Sequence, residues 1–175
     1  MKFRFIIFFV MVFAGVFSSS AQRGDYMNSA EQDVVRNNQD IDARIAVLTY
    51  MIDRRFIAMG IETKTNKPPL GPEDTWGDEP KGTKAQLLFD IRYLLEKAID
   101  DIDNLAGHLP AKAKEERKGV NLFNKAVKSL DSAAKRWLPI LKREFENARD
   151  EETHSAVSTS IGFCEQIIEA ATRLK

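Results

Sequence analysis

The chain has 175 residues, 43% hydrophobic and 30% charged, with 26 basic residues balanced by 26 acidic ones and a single cysteine. One cysteine excludes an internal disulfide framework and a four-cysteine zinc site, and a formal charge of zero leaves no electrostatic footprint for nucleic acid. The length fits one domain, but the apolar residues are unevenly spread, since six of the eleven phenylalanines (Phe3, Phe5, Phe8, Phe9, Phe13, Phe17) fall in the first seventeen positions.

That N-terminal stretch has the three parts of a secretory signal peptide: basic Lys2 and Arg4, an apolar run from Phe5 to Phe17, and the small residues Ser18, Ser19, Ser20 and Ala21. The apolar run is shorter than the roughly 20 residues that span a bilayer as a helix. Residues 1–21 are therefore predicted to be a cleavable leader, cut after Ala21, and the product is expected to be soluble, without a membrane span and secreted or periplasmic. Loss of Lys2 and Arg4 leaves 24 basic and 26 acidic residues in the remaining 154, a net charge of −2. A chain of that size can bury about two-thirds of its unfolded surface in one core.

Residues 22–28 read as an N-terminal tail. From Ser29 the sequence predicts an all-α domain running to residue 175, a four-helix bundle with one long Pro/Gly-rich loop between the first two helices. Ser29 and Gln32 have capping-box spacing, and Val34, Ile41, Ile45, Leu48, Ile52 and Met59 follow at helical intervals until Gly60, which is placed to end the helix.

The loop 60–82 contains eight of the fourteen Gly and Pro residues beyond the leader. It is far longer than ordinary connections, and would either cross the length of the bundle, leaving the helices parallel, or fold back and leave them antiparallel. Trp76 within it favours an ordered loop, because a large ring finds something to pack on.

The second helix starts at a further capping box, Thr83 with Gln86, carries Leu87, Leu88, Ile91, Leu94, Leu95, Ala98, Ile102 and Leu105, and stops before Gly107 and Pro110. Lys112 to Lys118 mix both charges and read as an exposed segment. The third helix carries Val120, Phe123, Val127, Leu130, Ala134, Trp137, Leu141 and Phe145, with Pro139 either kinking it or dividing it in two. The fourth carries Val157, Ile161, Cys164, Ile168 and Ala171. The connections between second and third and between third and fourth helices look short, which favours antiparallel neighbours.

Four features suggest chemistry. The run Gly77 to Lys84 has two glycines at phosphate-loop spacing, but its Thr-Lys order is reversed, no strand precedes it and Pro80 removes an amide; what survives is an anion site at Lys81, Thr83 and Lys84, at a helix start. Glu151 and His154 have the E-x-x-H spacing of a carboxylate metal site, but the second such motif needed for a di-iron centre is missing. Trp137 beside Pro139 could border an apolar pocket if the proline bends the helix. Haem attachment through C-x-x-C-H is excluded by one cysteine, and no spacing singles out a pair from Met27, Met51, Met59, His108 and His154.

Cys164, on an apolar stripe, is expected to be buried and inert, and Asp40, Asp42, Asp100, Asp101 and Asp103 to lie on solvated faces. No nucleophile, base and oxyanion donor fall into a catalytic pattern, and no cofactor is expected. The sequence thus predicts an exported, non-catalytic binding or scaffolding protein of the cell envelope or extracellular space, with a protein partner or another copy of itself. The alternative is a small-ligand, metal or haem carrier on the same bundle.

Overall fold

The computed structural model describes residues 25–63, 68–69, 71–107 and 115–173. The leader with its cleavage point, His108, Pro110, Lys112 and Lys114 lie outside them. Among the described residues the protein is all-helical: α1 (Ser29–Asn37), α2 (Ile41–Ala58), α3 (Lys84–Ala106), α4 (Glu115–Asn147) and α5 (Glu151–Arg173), with a 3-10 turn at Glu73–Trp76 and no strand. None of these helices is long and apolar enough to cross a membrane.

The expected first helix is two helices, which raises the count from four to five. Asn37-Asn38-Gln39-Asp40 is a run of side chains that compete for backbone hydrogen bonds. Asn38 turns extended and donates its backbone N–H to Val35 and its side-chain amide to Val34. Arg44 then clamps the break from the far side, donating to the Asn38 carbonyl at 3.0 Å and to Gln39 at 2.8 Å. The capping box also sits one residue earlier than the sequence suggests, on Asn28 and Glu31.

Gly60 ends α2 as expected. Its φ of +77° lets its N–H reach Ile57 and that of Ile61 reach Phe56, the paired bonds of a Schellman stop. The box of Thr83 and Gln86 opens α3, and Asp150 opens α5 by accepting the Thr153 N–H at 2.7 Å, which lowers its pKa.

Ion pairs fix the direction of packing. Arg55 near the end of α2 faces Asp90 near the start of α3, while Arg44 near the start of α2 faces Asp101 near the end of α3. The two helices are therefore antiparallel. α2 packs on α3 and α4, and α5 packs on the same two. α3 and α4, expected to be neighbours, touch only slightly and lie diagonally.

The core is continuous through all four long helices. Leu48 and Ile52 enter it from α2, Ile91 and Leu94 from α3, Leu130 and Trp137 from α4, and Val157 from α5. α4 runs unbroken through exposed Pro139, so the alternative of two separate helices is resolved. The lost amide costs roughly 3 kcal/mol in a regular helix, and the burial of Trp137 and Leu141 on either side offsets it.

Candidate functional site

Two regions combine unusual chemistry with access to solvent. The first surrounds α2, whose residues 47–56 are buried on every side although Asp53, Arg54 and Arg55 stand among them. Burying three charged side chains in succession demands partners, and each has them.

Glu31 of α1 is fully buried and accepts four hydrogen bonds: one from Arg54 at 2.7 Å, two from Arg55 at 2.5 and 2.7 Å, and one from the Asn28 backbone at 3.1 Å. The rest of the Arg54 guanidinium is spent on the long loop, donating to the carbonyls of Trp76, Gly77 and Asp78 at 3.1, 3.2 and 2.7 Å. Asn28 adds side-chain bonds to Trp76 and Asp78. Trp76 is wholly buried and meets the Tyr50 ring edge-on at 4.6 Å. Gly77 lies so near α1 that a Cβ there would sit 3.0 Å from that of Ala30, and its φ is +65°. The loop is thus tied to α1 and α2 from Trp76 to Asp78.

Arg55 also donates to the Tyr26 carbonyl at 2.6 Å. Tyr26 and Met27, which the sequence assigns to a tail, are accordingly packed: Met27 is buried and Tyr26 lies against Tyr93. The Arg55 Nε is buried without a hydrogen bond, and the nearest carboxylate, Asp90, is 3.6 Å away. Asp90 is raised from 3.8 to about 6, first by burial and then by the negative charge of Glu31, against the opposing pull of Arg55.

The second region is an apolar cleft of about 260 Å³ between the end of α3, the early part of α4 and the end of α5. Ile99 and Ile102, Phe123, Val127 and Leu130, and Ile167 make its walls. Asp103 and Arg173 stand at the mouth with opposite charges, and Arg173 is paired with Glu169 on its own helix.

The residues singled out in the sequence are dispersed. Lys81 pairs with Asp78, Lys84 with the buried carboxylate of Glu144, and Thr83 with its own capping partner, so the anion site's three groups all have partners within the protein. Glu151 and His154 are both exposed, His154 against the Phe145 ring. Among the described residues no three His, Cys, Asp or Glu side chains gather as metal ligands. Trp137 is wholly buried and donates its indole N–H to Asp53 at 2.7 Å, while Pro139 is exposed. Met27 and Met51 are core residues.

Cys164 is buried, and desolvation pushes its thiol up to about 12. Asp40, Asp100 and Asp103 are exposed. Asp42 and Asp101 depart from the expected solvated faces: Asp42 bonds Lys125 of α4 at 2.6 Å, which lowers its pKa, and Asp101 faces Lys97 and Arg44.

Sequence reasoning missed the Glu31, Arg54 and Arg55 cluster. The available signal was two adjacent arginines inside an otherwise apolar stretch, where a helix that keeps its charges in water would show them on one side only. Comparison of this chain with protein-family models, with curated proteins and with solved structures finds no match.

Proposed function

We propose that this is an exported, non-catalytic binding protein built on a four-helix bundle of α2, α3, α4 and α5, which holds an apolar group of a protein partner in the cleft between α3, α4 and α5. Export rests on the leader pattern of residues 1–21 and envelope or extracellular location follows from it. The cleft is the observation that supports binding, because its walls are aliphatic and aromatic and the charges lie at its mouth. At about 260 Å³ it falls just short of the roughly 300–1,000 Å³ of pockets that enclose whole drug-sized ligands. That size suits one or two inserted side chains better than a haem. The opposite charges of Asp103 and Arg173 would orient a partner segment bearing both signs.

The cleft is tested with N-phenyl-1-naphthylamine, an apolar dye that brightens out of water. The expected result is a saturable, blue-shifted rise with the wild-type protein that is lost in Ala170→Trp, a substitution at an exposed position bordering the cleft. Equal dye binding by both proteins, or none by either, would overturn this assignment. Mass spectrometry of an organic extract of natively purified protein separates the alternative: a stoichiometric small molecule identifies a ligand carrier in place of a partner-binding protein.

A further inference from the structure

We propose that α1 is an exchangeable arm: when α1 and α2 join into one straight helix, α1 docks on the α2 of a second copy of this chain, and the two copies form a two-fold dimer that does not use the apolar cleft. The arm hangs on a hinge of three residues, Asn38, Gln39 and Asp40, and neither glycine nor proline stands there to forbid a helix. Val34 and Ile41 on either side keep the seven-residue interval of a single helix. The bend is held by side chains alone on two sides, with Arg44 bonded to Asn38 and Gln39 and the Asn38 amide bonded to Val34. The Asp40 side chain caps nothing. Straightening gives up these bonds and supplies helical acceptors to the N–H groups at the start of α2, which a helix beginning at Ile41 leaves without intrahelical partners.

The arm's own contacts suit such an exchange. α1 runs antiparallel to α2, since its end at Asn38 meets Arg44 and its start at Glu31 meets Arg54 and Arg55. Among the described residues α1 packs on α2 and on the 3-10 turn, with Tyr26 ahead of it against Tyr93 of α3. Joined, Ser29 to Ala58 is a helix of roughly 45 Å. Two such helices side by side and antiparallel, related by a two-fold axis near their hinges, set each α1 along the other copy's α2 in the sense it has now.

The occupant follows from what the vacated site requires. Arg54 and Arg55 are buried and share the Glu31 carboxylate, so whatever takes the place of α1 must bring a carboxylate to two guanidinium groups and apolar side chains where Val34 and Val35 now lie. The α1 of a second copy meets that demand contact for contact. Asn28, which holds the Trp76 and Asp78 carbonyls, travels with it. Bent monomer and exchanged dimer therefore differ mainly at the hinge and in their dependence on concentration.

The test is refolding of the full chain from urea at micromolar and at millimolar concentration, followed by size-exclusion chromatography with light scattering and by hydrogen exchange of the separated monomer and dimer. The expected result is a dimer fraction from millimolar refolding that rises several-fold when Asn38→Ala is combined with Gln39→Ala, which favour helix at the hinge, and falls several-fold in Gln39→Gly, which disfavours it. In the dimer the Asp40 and Ile41 amides exchange at least about tenfold more slowly than in the monomer, because a continuous helix bonds them to the Arg36 and Asn37 carbonyls. Ala170→Trp, which blocks the cleft and leaves the hinge alone, keeps the dimer. Absence of a dimer from both wild type and the alanine variant, a dimer fraction indifferent to the hinge substitutions, Asp40 and Ile41 amides as unprotected in the dimer as in the monomer, or loss of the dimer in Ala170→Trp would each overturn the proposal.

Discussion

Asp53 accepts the indole N–H of Trp137 at 2.7 Å, although 84 positions separate the two residues in the chain and both are wholly buried. Arg136 also donates to this carboxylate, at 3.0 Å, while remaining partly exposed. The bond joins the C-terminal half of α2 to that of α4 and is charge-assisted, so it belongs to the stronger class of protein hydrogen bonds.

A double-mutant cycle with Asp53→Ala and Trp137→Phe should therefore give a coupling energy of about 1.5–3 kcal/mol. Urea denaturation of the four proteins measures it. A coupling below about 0.5 kcal/mol would mean that the remaining contacts of Asp53 satisfy it and that the indole gains little from the bond.

Glu31 is the second buried carboxylate whose loss should be severe, because it leaves the Arg54 and Arg55 guanidinium groups facing each other without the carboxylate they share, with Asp90 at 3.6 Å from Arg55 as a more distant counter-charge. Breaking a buried pair in this way typically costs about 3–5 kcal/mol. Glu31→Ala is expected to lower the urea midpoint accordingly, and Glu31→Gln to lower it less, since the amide oxygen still accepts one donor. Equal effects of the two substitutions would show that the site requires the charge, which both remove, and gains nothing from the shape and acceptor that the amide keeps.

The Cys164 thiol, buried and shifted to about 12, should not react with a thiol-specific disulfide reagent at pH 8 in the folded protein and should react fully in 8 M urea. Stoichiometric labelling within minutes in the absence of denaturant would contradict its burial.

The helical content, the Thr83 box, the Gly60 stop and the apolar stripes of α3, α4 and α5 were all legible in the sequence, because each depends on neighbours within one or two turns. The break at Asn38 was hidden by an accident of spacing: Val34 and Ile41 stand seven apart, which a single helix would also produce. The ionic cluster was marked only by its two adjacent arginines in an apolar stretch, and their partner could not be read. Glu31 looks like any acidic residue in a first helical turn, and its partners are 23 and 24 positions away. The apolar cleft was equally invisible, since it depends on where three helix ends meet and not on any one of them.

The sheathing of α2 has an evolutionary corollary. A helix with one wet face can drift on that face, whereas Val47 to Phe56 has no such outlet. Its ten residues, Val-Leu-Thr-Tyr-Met-Ile-Asp-Arg-Arg-Phe, must satisfy packing and three separate charge contacts together. Descendants of a common ancestor should diverge slowest there, keeping an Asp-Arg-Arg triplet within an apolar decapeptide long after the capping boxes and the outward faces of α4 and α5 have changed beyond recognition.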